Sequence, residues 1–381
     1  MSKQTELVGL ARTTKLDEVN AAYDAGALSN RNMVINGAMN VAQRATSATG
    51  LGAASGYFTL DRFQMSTDTG GSATAGRYTM TQTADGPNGV SANCLKLDCT
   101  TADTSIAAGE LLAIVHKFEG QNLQRIGKGV AGAKELTVSF YVKGSATANY
   151  MLELKDTDHG RISSKLFAVT TDWNRIEVVV PADVDDGSSP FNDDNATSLE
   201  LRIWLHAGSN YTSGTASSVW ANQTSADRAV GISSFFSNTA NNFFITGVQM
   251  EVGPVATEFE HRSYGDELAR CQRYFFKLEG DLNDRCGIGG YVVSSGEARF
   301  DFLMPVSMRA VPTLSGSGLA LIDAATDSAD FTITDMVVNS PPTGTITGLG
   351  LQIATSGMVA GQAGGLRFKS AGSNLTLEAE L

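Results

Sequence analysis

Histidine, cysteine and clustered carboxylate are the residue types that most often carry chemistry, and in this chain they are scattered. The four histidines, His116, His159, His206 and His261, form no H-x-H or H-E-x-x-H arrangement, so a metal-hydrolase centre has no anchor. They are expected to be structural. The four cysteines, Cys94, Cys99, Cys271 and Cys286, make no C-x-x-C pair and are expected as free thiols serving as small core residues. No G-x-S-x-G elbow presents a serine nucleophile. Gly127, Gly129 and Gly132 spell G-x-G-x-x-G, yet that loop runs into the strand pattern Leu136–Val142. A dinucleotide loop must instead open a helix whose amides meet the pyrophosphate. The densest acids, Asp183, Asp185, Asp186, Asp193 and Asp194, are hard ligands of the kind Ca²⁺ takes, but not at EF-hand spacing. A solvated acidic loop after Pro181 is expected, with Ca²⁺ left open. For glycoside hydrolysis, two carboxylates must flank a cleft, and nothing singles out a pair. The residues therefore nominate no catalytic group, cofactor or metal, and the chain is expected to be non-enzymatic.

One segment is more informative. Residues 207–241 are long and polar, rich in Ser, Asn and Thr, yet carry Tyr211, Trp220, Phe235 and Phe236. Loops of this length in compact domains are often functional. Aromatic rings in such a loop either stack on sugar faces and anchor an interface, or fold back onto the domain. These four are the candidate glycan or interface residues.

The elements that must position them follow from pattern. The chain has 381 residues, 42% hydrophobic but only 18% charged, with 40 Gly and 8 Pro. An average domain is about 25% charged, so this profile suits an all-β protein with many tight turns. The charge balance, 28 − 40 = −12, opposes phosphate neutralisation and attraction to anionic lipid. Neither a nucleic-acid partner nor membrane insertion is expected, since no stretch reaches the roughly 18 apolar residues of a spanning helix. The N-terminus MSKQTELVGLARTTK lacks an apolar secretory core, so synthesis and folding in a cytoplasm are expected.

Within 1–29, Leu16, Val19, Tyr23 and Ala27 form one apolar stripe at helical spacing, and a helix of about 12 residues needs a partner surface. From 30 to 262 the period is two. Leu95/Leu97/Cys99, Leu136/Val138/Phe140/Val142, Tyr150/Leu152/Leu154, Ile176/Val178/Val180, Leu199/Leu201/Ile203/Leu205 and Val248/Met250/Val252 alternate with polar residues. About ten such strands between turn residues predict an antiparallel jelly-roll sandwich. Residues 263–280 predict a linker helix, with Asp266 as N-cap, Leu268, Cys271 and Phe275 on one packing face, and Gly280 as terminator. Residues 281–381 return to alternation (Ala298/Phe300/Phe302/Met304, Phe331/Ile333, Leu375/Leu377/Ala379/Leu381) and predict a smaller β-sandwich interrupted at Pro305 and Pro312.

Four segments carry a family resemblance: Asn30–Met39 (NRNMVINGAM) with Val41-Ala42-Gln43-Arg44, Tyr57–Phe63 (YFTLDRF), Phe244–Gly253 (FITGVQMEVG) and Thr257–Phe275 (TEFEHRSYGDELARCQRYF). They resemble a family of bacteriophage virion proteins, the tail fibres and tail-associated structural proteins. The stretch from TVSFYVKG to DWNRIEVVV resembles a carbohydrate-binding-module jelly roll. The resemblance implies a virion component, most often a homotrimer, attached through residues 1–29 to tail or neck proteins. It also implies a C-terminal domain facing outward, toward a host surface glycan. It supplies no catalytic residue. A head decoration or neck/tail adaptor protein with no receptor is the alternative.

Overall fold

A computed structural model describes residues 30–184, 190–323, 330–339, 346–355 and 357–381. The stripe Leu16, Val19, Tyr23 and Ala27, and with it Asp185 and Asp186, lie outside the described residues. The chain divides into two compact units after Arg262.

The first unit is an antiparallel sandwich of two six-stranded sheets. Its strands are β1 (Ser47–Leu51), β2 (Gln64–Thr69), β3 (Arg77–Thr83), β4 (Cys94–Thr101), β5 (Glu110–Glu119), β6 (Leu136–Gly144), β7 (Ala148–Asp156), β8 (Arg161–Val169), β9 (Asn174–Val180), β10 (Thr197–Ala207), β11 (Ala221–Asn222) and β12 (Asn242–Val252). One sheet runs β1-β3-β4-β12-β6-β9 and the other β11-β8-β7-β10-β5-β2. Chain neighbours such as β5 and β6, or β9 and β10, fall in opposite sheets, which is the jelly-roll crossing expected above. Alternation drives it. Leu199, Leu201, Ile203 and Leu205 point inward from β10 and meet Val138, Phe140 and Val142 from β6 in one buried core. Cys94 and Cys99 fall on opposite faces of β4: Cys99 joins that core and Cys94 does not, although both are buried. Among the described residues no disulfide joins two cysteines, and burial pushes the Cys94, Cys99 and Cys286 thiols up to about 11.

The quoted N-terminal segment lies along the bulged middle of β12. Pairing of β12 with β6 shifts between Thr246 and Gln249, where Gly247 takes φ 61° and a Cβ would meet Val90 at 2.7 Å. On the other side of β12, where β4 pairs only over Asn242–Ile245, Asn32 and Gly37 bond the Val248 and Met250 main-chain groups. Asn36, fully buried, donates to the Val41 and Asp61 carbonyls, and Arg262 donates to the carbonyls of Asn32 and Val34. The segments that carry the family resemblance are thus largely the parts that tie this unit's ends together.

The second unit begins with a helix, α2 (Tyr264–Gln272), shorter than expected; α1 is Ser209–Thr212 of the first unit. Ser263 rather than Asp266 is the N-cap: its hydroxyl accepts from the Asp266 N–H at 3.1 Å and donates to the Asp266 carboxylate. Cys271 is buried and Leu268 half-buried, but Phe275 is not on the helix. It opens strand β13 (Phe275–Gly280), so Gly280 closes a strand and the segment is part of the unit rather than a separate linker. The remaining strands are β14 (Arg285–Ser294), β15 (Glu297–Met308), β16 (Thr313–Ser317), β17 (Leu319–Asp323), β18 (Asp330–Thr332), β19 (Asp335–Asn339), β20 (Ile346–Ala354), β21 (Ala363–Phe368) and β22 (Ser373–Glu378). A three-stranded sheet, β13-β22-β16, and a seven-stranded one, β18-β17-β21-β14-β15-β20-β19, share a core of Phe276, Leu375 and Leu377 with Phe300, Leu321 and Leu351. Pro305 does not end its strand. β15 runs through it, because its pairing with β20 shifts between Leu303 and Met308 and no ladder donor is needed there.

Candidate functional site

The outer face of the β11-β8-β7-β10-β5-β2 sheet is built in rows, because β7, β10 and β5 pair in register. Met151, Trp204 and Ala113 stand side by side, then Glu153, Arg202 and Val115, then Lys155, Glu200 and Lys117. The first row is apolar and covered, and the last is charged, with Lys155 and Lys117 half-buried and Glu200 buried.

Segment 207–241 provides the cover. The Tyr211 ring from α1 packs on Trp204 at 5.3 Å between centroids, and Ala229 and Ile232 complete a satellite cluster around it. Arg228 lies over the Trp204 ring at 4.8 Å and grips Glu153 with two hydrogen bonds of 2.9 and 2.6 Å. Glu153 is fully buried, and its carboxylate holds the Arg228 guanidinium above its ordinary pKa despite desolvation.

Two of the four loop aromatics are corrected by this arrangement. Phe235 and Phe236 are 0% and 3% exposed, so neither reaches a ligand or a subunit. A short helical turn, Phe235–Ser237, folds them into the sandwich core, where Phe236 packs against Tyr78 and fills the place a Cβ on Gly76 would take. Trp220 stays half-buried. Its indole N–H donates to the Pro181 carbonyl at 2.9 Å, beside a small groove of about 240 Å³ floored by Leu152, Leu154 and Val178 and rimmed by Ser163, Lys165 and Ser218. Tyr211 and Trp220 therefore remain at the surface, at separate places.

Asp183 also departs from expectation. It is buried, not solvated: Arg161 binds it with two hydrogen bonds and Lys128, itself buried, bridges it to Asp156 at 3.4 and 2.8 Å. Those cations already satisfy the charge a Ca²⁺ ion would bring. Asp193 and Asp194 are exposed. His159 sits at 3.0 Å from Asp156, and His116 and His206 are buried. His261 is exposed against Phe259.

Beyond the covered row lie the charges that sequence reasoning missed. Arg202 Nε donates to Glu200 at 2.8 Å, and Lys155 Nζ is 3.9 Å from the same carboxylate oxygen. Burial lowers the Lys155 pKa. Burial pushes the Glu200 carboxyl up, but Arg202, Lys155 and Lys117 outweigh it and hold the carboxyl below its usual range. With Glu153 taken by Arg228, the second and third rows hold the half-buried Lys117, Lys155 and Arg202 against the buried Glu200, a local surplus of 3 − 1 = +2 on a chain of net −12. Partly desolvated charges gathered on one face beside an aromatic stack supply the donors and acceptor that a polar ligand could use.

Comparison with known proteins adds the following. No family model matches, and no curated protein matches. Among solved structures, a family 4 carbohydrate-binding module aligns over 57% of this chain and 99% of its own, at 10% identity and a TM-score of 0.29. The family 11 module of Clostridium thermocellum in complex with a β-1,3-1,4-mixed-linked tetrasaccharide aligns over 56% and 99%, at 12% identity and TM-score 0.26. The enzymatically active domain of tailspike protein 4 from bacteriophage CBA120 aligns over 58% of this chain, at 13% identity and TM-score 0.31; the alignment spans 21% of that chain. Among the described residues, no helix is long and apolar enough to cross a membrane.

Proposed function

We propose that this chain is a bacteriophage virion protein, a tail fibre or spike, whose first unit holds a host-surface glycan on the charged rows of the β7-β10-β5 face. The observation that carries the glycan assignment is the Lys155–Glu200–Lys117 row with Arg202 beside it, bounded by the Tyr211–Trp204 stack. A sugar presents many hydroxyls at fixed angles. Charged donors and an acceptor held by neighbouring strands meet them with hydrogen bonds stronger than neutral ones, without first ordering long flexible side chains. The cationic surplus favours a glycan bearing carboxylate, sulfate or phosphate groups. At physiological salt the screening length is about 8 Å, so this local patch outweighs the distant negative charge of the chain.

The virion assignment rests on the four segments quoted above, and attachment through residues 1–29 and a homotrimeric state belong to the same proposal. Three copies would turn weak single-site affinity into avidity of about a hundredfold or more. No catalytic step is assigned.

The test is retention of the purified full-length chain on immobilised acidic and neutral bacterial polysaccharides. Retention by an acidic polymer is expected, with Arg202→Ala and Lys155→Ala each weaker by on the order of tenfold, the worth of one charge-assisted hydrogen bond. Retention by none, or equal retention of both variants, would overturn the glycan assignment. A count of hundreds of copies per particle would instead make the protein a head decoration.

A further inference from the structure

The first unit buries a second group of titratable side chains that the glycan face does not use. Asp103 lies after β4, Glu110 opens β5 and His206 ends β10; they are 2%, 1% and 2% exposed. Glu110 points inward by the alternation of β5. His206 should point outward, two residues after Trp204, but the pairing of β10 with β5 shifts between Trp204 and His206. The bulge sets His206 opposite Leu112, a core residue, and turns the ring inward onto Phe236 at 5.0 Å.

The donors so gathered are one imidazole nitrogen and one oxygen from each carboxylate, all within 4.8 Å of one another. His206 Nε2 is 3.1 Å from Glu110 Oε2, while Nδ1 is held by the Ser234 hydroxyl at 2.8 Å. Asp103 Oδ1 accepts the Ser105 N–H at 2.9 Å, which orients its other oxygen. Asp103 Oδ2 and Glu110 Oε1 are buried and have no hydrogen-bond partner. Among the described residues, no lysine or arginine forms an ion pair with either carboxylate. Two carboxylates held beside a neutral imidazole out of water must either share a proton or take a positive charge between them. This sets the cluster apart from Asp156, Asp158 and His159, where Lys128 already supplies that charge.

We propose that Asp103, Glu110 and His206 form a buried structural site for a first-row divalent metal ion, of which Zn²⁺ is the best-fitting example. Tetrahedral Zn²⁺ with bonds of about 2.0–2.1 Å places its ligands about 3.3 Å apart, close to the His206–Glu110 separation. Ca²⁺ asks for six to eight oxygens and gains little from an imidazole. The Ser234 contact is the outer partner that fixes which ring nitrogen faces the metal. The ion would tie β4, β5 and β10 at one end of the sandwich.

The test is metal content and thermal stability of the full-length chain refolded from urea with Zn²⁺, with Ca²⁺, or with a chelator, then freed of unbound metal by gel filtration. About one Zn²⁺ per chain is expected. A Tm rise on the order of 5–10 °C is expected once Zn²⁺ is added back to about 100 times Kd. Asp103→Asn, Glu110→Gln and His206→Gln should each abolish the stoichiometric metal and its Tm shift. Should a variant not fold, the wild-type comparison decides by itself. No Zn²⁺ and no shift in the wild type would overturn the site and leave a carboxyl pair sharing a proton. Equal metal in wild type and variants would place the ion elsewhere, and preference for Ca²⁺ over Zn²⁺ would refute the assigned class.

Discussion

Asn32 substitutes for a missing strand partner of Met250. Its side-chain oxygen accepts the Met250 N–H at 3.1 Å while its nitrogen donates to the Val248 carbonyl at 3.1 Å, across more than two hundred residues of chain. β4 pairs with β12 only as far as Ile245, which leaves these main-chain groups without a strand partner on that side, and one buried amide satisfies a donor and an acceptor together. Replacing Asn32 with Ala leaves both unpaired. Each buried orphan costs about 1–3 kcal/mol, so destabilisation on the order of 2–4 kcal/mol is expected in the urea midpoint of the first unit. A variant as stable as the wild type would mean the segment contributes nothing to closing the sandwich.

The Glu153–Arg228 pair gives a sharper test, because its two single substitutions and the double one should disagree. Removing Glu153 strands a guanidinium that is nine-tenths buried, and Glu153→Met should cost about 3–5 kcal/mol. Glu153→Met with Arg228→Met should recover most of that loss, since the Met151–Trp204 cluster next to it is apolar. Chemical denaturation of the three variants reads the coupling directly. Additive losses would show that the two charges do not act as a pair.

Phe236 and Tyr211 stand in the same long segment and should behave differently. Phe236→Ala opens a cavity in the main core and is expected to cost about 3–5 kcal/mol. Tyr211→Ala uncovers part of Trp204 at a smaller cost of about 1–2 kcal/mol, but disturbs the rim of the proposed glycan face. Thermal melts rank the two, and polysaccharide retention should fall only for Tyr211→Ala among folded proteins. The reverse order would place the ligand near Phe236.

That difference marks the limit of what the sequence reveals. Strands such as Leu199–Leu205 are legible because period-two alternation with one buried face has a local cause. The fate of Phe235 and Phe236 is not, since a long polar loop has no period and its course depends on Trp204, an outward strand residue that must be covered. The Lys155–Glu200–Lys117 row is equally hidden: it exists only once β7, β10 and β5 are in register, and register is a tertiary property. Phe275 misled for a third reason. It fits helical spacing with Leu268 and Cys271, yet its pairing with Glu378 of β22 puts it in a strand. Asp183 read as solvated because the buried Lys128 that binds it lies 55 residues away in sequence.

Stability should fall with acid in a way that can be traced to His206. Burial lowers its pKa from 6.5 to about 4. Between those values the unfolded chain binds a proton that the folded chain refuses, so stability is lost as pH falls from about 6.5 to 4. His116 is also buried and depressed by desolvation, and acts in the same direction. Glu110, raised by burial and by Asp103, acts oppositely above about 4.5, where the folded chain keeps a proton the unfolded chain releases. Urea midpoints at pH 7, 6 and 5 with chelator present should show the loss, and His206→Gln should flatten the slope by up to one proton. An unchanged slope would mean that His206 titrates normally in the folded protein.

Binding of an acidic glycan on the charged rows of the β7-β10-β5 face should depend on salt. Isothermal titration of the full-length chain with an acidic oligosaccharide, at about 50 and 300 mM salt, tests it most directly. Binding should weaken as salt rises, with Arg202→Ala binding on the order of tenfold more weakly and depending less on salt. Affinity that is indifferent to salt and equal in wild type and Arg202→Ala would contradict it.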